Sequence, residues 1–138
     1  MYQDDLVAEA RIGTERECLT LSQLKRVGGQ LYSVDIQINV PDLQAHRTVA
    51  AHYGNGFDDL IDFFRSLAAG WRGWSGERIY ESLEGDLRLT AVHDGHVRLT
   101  VRIRQSTEPN GWDVKASIRL DPGEEMSIVV DDIETLFA

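Results

Sequence analysis

The sequence predicts an α+β fold, with a mostly antiparallel sheet of about six to seven strands and two amphipathic helices packed on one face. Apolar residues alternate with polar ones in several short segments, and in two segments the period changes to about 3.6 residues. The connections are short, which favours antiparallel pairing over crossovers. We therefore expect a single domain over residues 1–138 with the order ββββ-α-βββ-α.

Four strands are predicted in the first part of the chain. Apolar residues alternate over residues 6–12, 19–21 and 32–40, and a weaker pattern covers 43–49 through Leu43, Ala45, Arg47 and Val49. The Gly28-Gly29 pair predicts a turn, and Pro41-Asp42 marks the end of the third strand.

The first helix follows the Gly54-Asn55-Gly56 stretch, with one apolar stripe from Phe57 to Ala68. Asn55 is the predicted N-cap, and Gly70 is expected in the left-handed conformation after the last turn.

The second helix is predicted near the end of the sequence, over an apolar stripe from Met126 to Phe137. Asp121 is its expected cap, Pro122 its first residue and Glu124 the partner in a capping box.

Three more strands are predicted between the helices, over residues 83–92, 97–104 and 112–120. A three-residue loop, His93-Asp94-Gly95, keeps the apolar side chains of the first two on one face. It pairs Ala91 with Val97, Leu89 with Leu99 and Leu87 with Val101.

Composition narrows the class of function. The net charge of −9 argues against a globally nucleic-acid-binding surface. No apolar run is long enough to span a bilayer, and residues 1–10 lack the features of a signal peptide. With Cys18 as the single cysteine, we expect a reduced, cytoplasmic protein that does not act at a membrane.

Catalytic and metal-binding patterns are sparse. His93 and His96 flank a turn but have no evident third ligand, and the carboxylates from Glu77 to Asp86 are more typical of a solvated edge than of an acid and base pair. We therefore predict no catalytic residue, no metal ligand and no cofactor.

Two candidate binding regions remain. The first is a basic face on the last three strands, with Asp86 and Asp113 as its acidic residues and Asp86 as the expected partner of Arg102. Its cationic residues are Arg88, Arg98, Arg102, Arg104, Lys115 and Arg119. It is either a solvated face with local ion pairs or a docking surface for an anionic partner.

The second region is "WRGWSGER", residues 71–78, with Trp71, Arg72, Trp74, Glu77 and Arg78 as candidate binding residues. The tryptophans either close the open end of the core or form an aromatic wall for a ligand, with an arginine stacked on an indole and Trp112 or Tyr80 nearby.

The Trp-Arg-Gly-Trp, Ser-Leu-Glu-Gly-Asp-Leu and His-Asp-Gly-His elements, within residues 56–137, resemble an uncharacterised bacterial, mainly actinobacterial, domain family of unknown function. The resemblance implies no activity, cofactor or site residue.

The sequence favours a non-enzymatic module that binds a protein partner through the basic face, of the immunity or antitoxin type by analogy of size and composition. The alternative is a small enzyme or ligand-binding protein with a pocket near Trp71, Trp74, Glu77 and Arg78. Self-association through a sheet face or edge is compatible with the first hypothesis.

Overall fold

A computed structural model describes residues 8–138 and confirms the α+β class. The strands are β1 (Glu9–Gly13), β2 (Cys18–Val27), β3 (Gln30–Val40), β4 (Leu43–Ala50), β5 (Arg78–Glu81), β6 (Leu87–His93), β7 (Val97–Arg104) and β8 (Asp113–Leu120). The helices are α1 (Asp58–Ala69) and α2 (Glu124–Phe137). Leu6, where the first predicted strand begins, lies outside the described residues.

The prediction of one sheet with six to seven strands is wrong. The strands form two antiparallel sheets of four, with β1-β2-β3-β4 as sheet 1 and β5-β6-β7-β8 as sheet 2. Strands β1 and β8 lie side by side at the border between the sheets without forming a ladder. The order within the described residues is therefore ββββ-α-ββββ-α.

Strand β5 is the element that the sequence pattern did not predict. Residues Ser82 to Asp86 form a turn in which Gly85 N–H donates to the Ser82 carbonyl oxygen at 3.0 Å, so the predicted strand 83–92 begins at Leu87. In β5 the arginine Arg78 lies on the inner side and the apolar Ile79 on the outer side, which reverses the usual alternation.

Helices α1 and α2 pack on each other and contact both sheets, α2 against β1 and β2 and α1 against β5. The inner faces of the sheets and the apolar helix stripes form one buried cluster, with Phe64, Leu21 and Leu99 among its fully buried side chains. Burial of this shared apolar surface is the main favourable contribution to folding. Within the described residues, neither helix is long and apolar enough to cross a bilayer.

The predicted helix caps are wrong in detail. Helix α1 has Phe57, not Asn55, at its N-cap, and Gly70 has φ −89°, outside the left-handed region. Helix α2 has Gly123 at its N-cap, with a φ of 88° that glycine adopts without steric cost. The Asp121 N–H donates to Glu125 Oε1 at 3.0 Å, so the side chain that reaches back is Glu125 and not Glu124.

The predicted β6–β7 register is also wrong, by two residues. Three residues form the loop, but they are 94–96, so Ala91 pairs with Leu99, Leu89 with Val101 and Leu87 with Ile103. The Asp94 N–H closes the loop on the His96 carbonyl oxygen at 3.0 Å. A shift by an even number of residues leaves every side chain on its predicted face.

A buried polar cluster joins the two sheets. Asp86 is only 2% exposed, accepts a hydrogen bond from Ser82 Oγ at 2.7 Å and lies 3.2 Å from Arg47 Nη2 on β4. The Arg47 Nε group also donates to the carbonyl oxygen of Arg104 at the end of β7. One arginine of sheet 1 is therefore bonded to two separate segments of sheet 2.

Replacing Arg47 by Ala is expected to lower the free energy of unfolding by about 3 kcal/mol, because it leaves the buried Asp86 carboxylate without its cation. Urea unfolding followed by circular dichroism measures this. Arg88→Ala is the matched control, since its ion pair with Glu81 is exposed. Equal losses in the two variants would contradict a special role for Arg47.

Candidate functional site

The basic face is the outer side of sheet 2. Along β7 the residues Leu99, Val101 and Ile103 point into the core, whereas Arg98 and Arg102 point outward. The same alternation in β6 and β8 places the remaining cations on this side. The face therefore carries six of the chain's fourteen lysines and arginines.

The strand register places like charges directly opposite each other. Arg88 pairs with Arg102, which pairs with Lys115, so three cations form one row across β6, β7 and β8. Arg98 lies opposite Arg119 in the same way. Like charges in directly opposed positions destabilise a sheet.

Acidic side chains at the margins neutralise part of this face. Arg88 pairs with Glu81 at 3.2 Å, Arg98 with Asp94 at 2.9 Å, and Arg102 makes a two-pronged contact with Asp113. The hydrogen bonds from Arg102 hold the pKa of Asp113 below its usual value.

The observed partner of Arg102 is Asp113 and not Asp86. The predicted pair of Asp86 with Arg102 is wrong, because the turn before β6 directs Asp86 inward to Arg47. Lys115 has no ion pair among residues 8–138. The basic face is thus only partly neutralised.

A shallow groove of about 300 Å³ crosses the middle of the basic face. A row of hydroxyl groups, Thr90, Thr100 and Ser117, runs beside the row of cations. The residues that line the groove are Glu77, Arg88, Thr90, Thr100, Arg102 and Lys115. Cations and hydroxyls at one place can hold carboxylate oxygens by charge-assisted hydrogen bonds.

The "WRGWSGER" segment does not gather its candidate residues into one pocket. Trp74 is partly buried and packs against the core. Its ring and the His93 ring meet edge to face, with their centroids 5.3 Å apart. The Arg78 guanidinium lies over the Trp74 ring, 4.3 Å from its centroid. Arg78 Nη1 also donates to the Ser66 carbonyl oxygen at the end of α1. Glu77, the preceding residue, lines the groove on the opposite side of sheet 2.

Trp71 is half exposed, and the Arg72 guanidinium lies 4.9 Å from the centre of its ring. Trp112 directly precedes Asp113, the first residue of β8, which pairs with Arg104 at the end of β7. The Trp112 N–H donates to Gln105 Oε1, so Trp112 does not join Trp71 and Trp74 in one aromatic wall. Tyr80 is buried near Phe63 inside the fold. The geometry favours Trp74 as a core-closing residue.

The two histidines of the β6–β7 loop face different neighbours. His93 Nε2 is 3.1 Å from the Trp71 carbonyl oxygen, whereas His96 lies between Asp121 and Arg119. The part of the chain that the structure describes contains no group of three or more potential metal ligands.

The sequence interpretation did not predict Glu81 and Asp94 as partners of the basic face. Alternation in a strand from residue 78 would have placed Glu81 beside Arg88, but no turn was predicted between 82 and 86. Burial, together with the nearby Asp59 and Asp86 carboxylates, raises the pKa of the Tyr80 phenol well above its usual value.

Gly70→Ala is expected to destabilise the protein by about 1–2 kcal/mol through overpacking. A Cβ at this position would lie 2.9 Å from Cε3 of Trp74 and 2.9 Å from Nη1 of Arg78. Denaturant unfolding and tryptophan fluorescence measure the effect, with Gly76→Ala for comparison because Gly76 has open space around it but a φ of 78°. Unchanged fluorescence and stability in Gly70→Ala would contradict tight packing of Trp74 on Gly70.

Tyr80→Phe is expected to reduce the loss of stability in alkali. A phenol whose pKa is raised in the folded state stabilises the protein fully below the unfolded pKa of about 10, and this contribution is lost as the pH rises towards the folded pKa. The wild type should therefore lose about 1 kcal/mol more than the variant per pH unit above 10. Urea unfolding at pH 8 and 11 measures this, and identical pH dependence in both proteins would contradict it.

Comparison with protein families gives one match, to a family of unknown function, DUF6228, over residues 10–138. The match confirms an uncharacterised domain family and extends beyond residues 56–137 to include all of the strands of sheet 1 except the first residue of β1. No curated protein and no solved structure matched the chain. The chain belongs to the DUF6228 family, whose function is unknown.

Proposed function

We propose that this chain is a non-enzymatic protein-binding module, and that its basic face docks on an acidic surface of a partner protein. The observation that carries the proposal is the row of directly opposed cations, Arg88, Arg102 and Lys115. Glu81 and Asp113 neutralise Arg88 and Arg102, but Lys115 has no ion pair among residues 8–138, so part of the repulsion in this row remains in the free protein. Carboxylates of a partner would relieve the repulsion.

The shape and charge of the surface support a protein partner. Four neighbouring strands present an open face, and helices α1 and α2 pack on the other side of the fold. The net charge of −9 opposes the approach of a long polyanion, whereas a local acidic patch is attracted at short range. None of the basic-face residues that the structure describes is aromatic, so bases would lack stacking partners.

The expected setting is the bacterial cytoplasm. The proposal of a bacterial source rests on the family resemblance in the sequence. Cys18 is the chain's single cysteine and is buried, which suits a reducing compartment.

The alternative function, a small enzyme or ligand-binding protein, has less support. Trp74 and Arg78 fill the space between the end of α1 and sheet 2, and Glu77 lies on the other side of that sheet. A ligand at this position would have to displace packed side chains.

The experiment is affinity capture from a lysate of the source organism with purified wild-type protein and the double variant Arg88→Glu, Lys115→Glu. Glutamates at these positions flank Arg102 on both sides, whereas the glutamate at position 88 also faces Glu81, so circular dichroism must first show that the variant is folded. We expect the wild type to retain a specific protein and the variant to lose it. The recovered partner should bind the wild type more weakly as salt rises.

The matched control is Arg16→Glu, Lys25→Glu, which makes the same change in net charge at exposed positions of sheet 1 and its first loop. It should retain the partner as the wild type does. Loss of the partner from both double variants would indicate a net-charge effect, and retention by both would place the interface elsewhere. Either result, or no specific protein, would overturn the proposal. A second copy of this chain as the retained species would identify the partner as the protein itself.

A further inference from the structure

A second surface lies between helix α1 and strand β5, which we name the β5 groove. It has a volume of about 560 Å³. Its lining residues from α1 are Asp59, Asp62, Phe63 and Ser66, and those from β5 are Arg78, Ile79, Tyr80 and Glu81. The groove is separate from the one on the basic face.

Strand β5 is the edge of sheet 2 and pairs with β6 on one side only. The Ser82 N–H, just after β5, donates to the Leu87 carbonyl oxygen of β6. In an antiparallel pair every second residue bonds to the neighbouring strand, so the N–H and C=O groups of Tyr80 and Arg78 also point towards β6. By the same alternation, the N–H and C=O groups of Ile79 and Glu81 point to the open edge. An open edge of this kind is a template for a further strand.

We propose that the β5 groove binds an extended, cationic peptide segment of a partner protein, which adds to sheet 2 as a strand beside β5. Strand addition between an edge strand and a helix is a recurrent mode of peptide recognition, in which backbone hydrogen bonds supply affinity and alternate side chains supply specificity.

The lining selects the chemistry of the peptide. Asp59 and Glu81 are exposed carboxylates; Asp59 has no ion pair within the described part of the chain, whereas Glu81 is paired with Arg88 at 3.2 Å in an exposed contact. The Arg78 guanidinium is held on the Trp74 ring and on the Ser66 carbonyl group, so it does not neutralise them. Lysine or arginine side chains of the peptide would therefore find anionic partners at the rim.

Apolar contacts are available between these carboxylates. Ile79 is 48% exposed on β5, and the rings of Phe63 and Tyr80 lie 6.3 Å apart behind the groove. Each side of an added strand would meet one carboxylate and one apolar surface, because Ile79 and Glu81 share the outer side whereas Asp59 and the Phe63–Tyr80 rings lie on the helix side. A peptide that alternates cationic and apolar residues therefore finds a carboxylate for its cations on whichever side they point. This ligand is opposite in charge to the acidic surface proposed for the basic face, so the two proposals can fail separately.

The experiment uses two synthetic probes, the capped hexapeptides (Lys-Val)3 and (Glu-Val)3, titrated into the ¹⁵N-labelled protein. We expect the lysine peptide to shift the amide signals of Ile79 and Glu81 and the glutamate peptide to leave them unchanged. Shifts confined to other parts of the chain, or equal responses to both peptides, would overturn the proposal.

Two variants test the mechanism. Ile79→Pro removes an N–H that faces the open edge, and a proline is tolerated at an edge strand in this orientation. We expect about a fivefold loss of affinity for the lysine peptide, as for one net hydrogen bond. Asp59→Asn leaves the backbone intact and should also weaken binding, whereas the control Asp42→Asn, in the β3–β4 turn, should not. Unchanged affinity in Asp59→Asn would overturn the proposal even if Ile79→Pro proved unstable.

Discussion

The contact on which the arrangement of the two sheets depends is the one between Asp86 and Arg47. A carboxylate that is 2% exposed is costly unless it is paired. Ser82 Oγ, in the turn after β5, donates a hydrogen bond to Oδ1, and Arg47 on β4 forms an ion pair with Oδ2 at 3.2 Å without a hydrogen bond. The backbone of the same turn accepts hydrogen bonds from Arg104, through the carbonyl groups of Gly85 and Asp86. Strands from both sheets therefore contact one short turn.

Around this junction the protein separates its charges by face. The inner sides of both sheets are apolar and share a core with the helices, while the exposed sides of α1 and α2 carry mainly aspartates and glutamates such as Asp58, Asp59, Asp131 and Asp132. Six of the fourteen lysines and arginines lie on the outer side of sheet 2. The total charge is −9, so this basic face differs in sign from the molecule as a whole.

Much of the fold could be predicted from the sequence where each strand has one buried and one exposed face. Strand β7 shows this alternation in every residue, and the cations of the basic face follow from it. Strand β5 does not, because Arg78 lies on the inner side, stacked on Trp74. The sequence analysis includes an arginine stacked on an indole, but as the wall of a ligand site and not as part of the inner face of a strand. The division into two sheets could not be predicted from the strand patterns either, because alternation does not show whether neighbouring strands such as β1 and β8 form a hydrogen-bonded ladder. The register of β6 and β7 was predicted with the correct faces and the wrong pairs, because a two-residue shift preserves the burial pattern.

The partners of the charged residues were harder to predict than their faces, and Glu81 illustrates the physical reason. Alternation assigns a side chain to one side of a strand, but a turn or a strand end decides which neighbours it meets; the turn at 82–86 directs Asp86 inward and leaves Glu81 beside Arg88. Glu81 also lines the β5 groove, so one carboxylate borders two surfaces of opposite charge preference. A cation that draws this carboxylate into the groove would leave Arg88 without its counter-ion. Occupation of the groove would then increase the positive charge available on the basic face, and by linkage an acidic partner on that face would favour a cation in the groove.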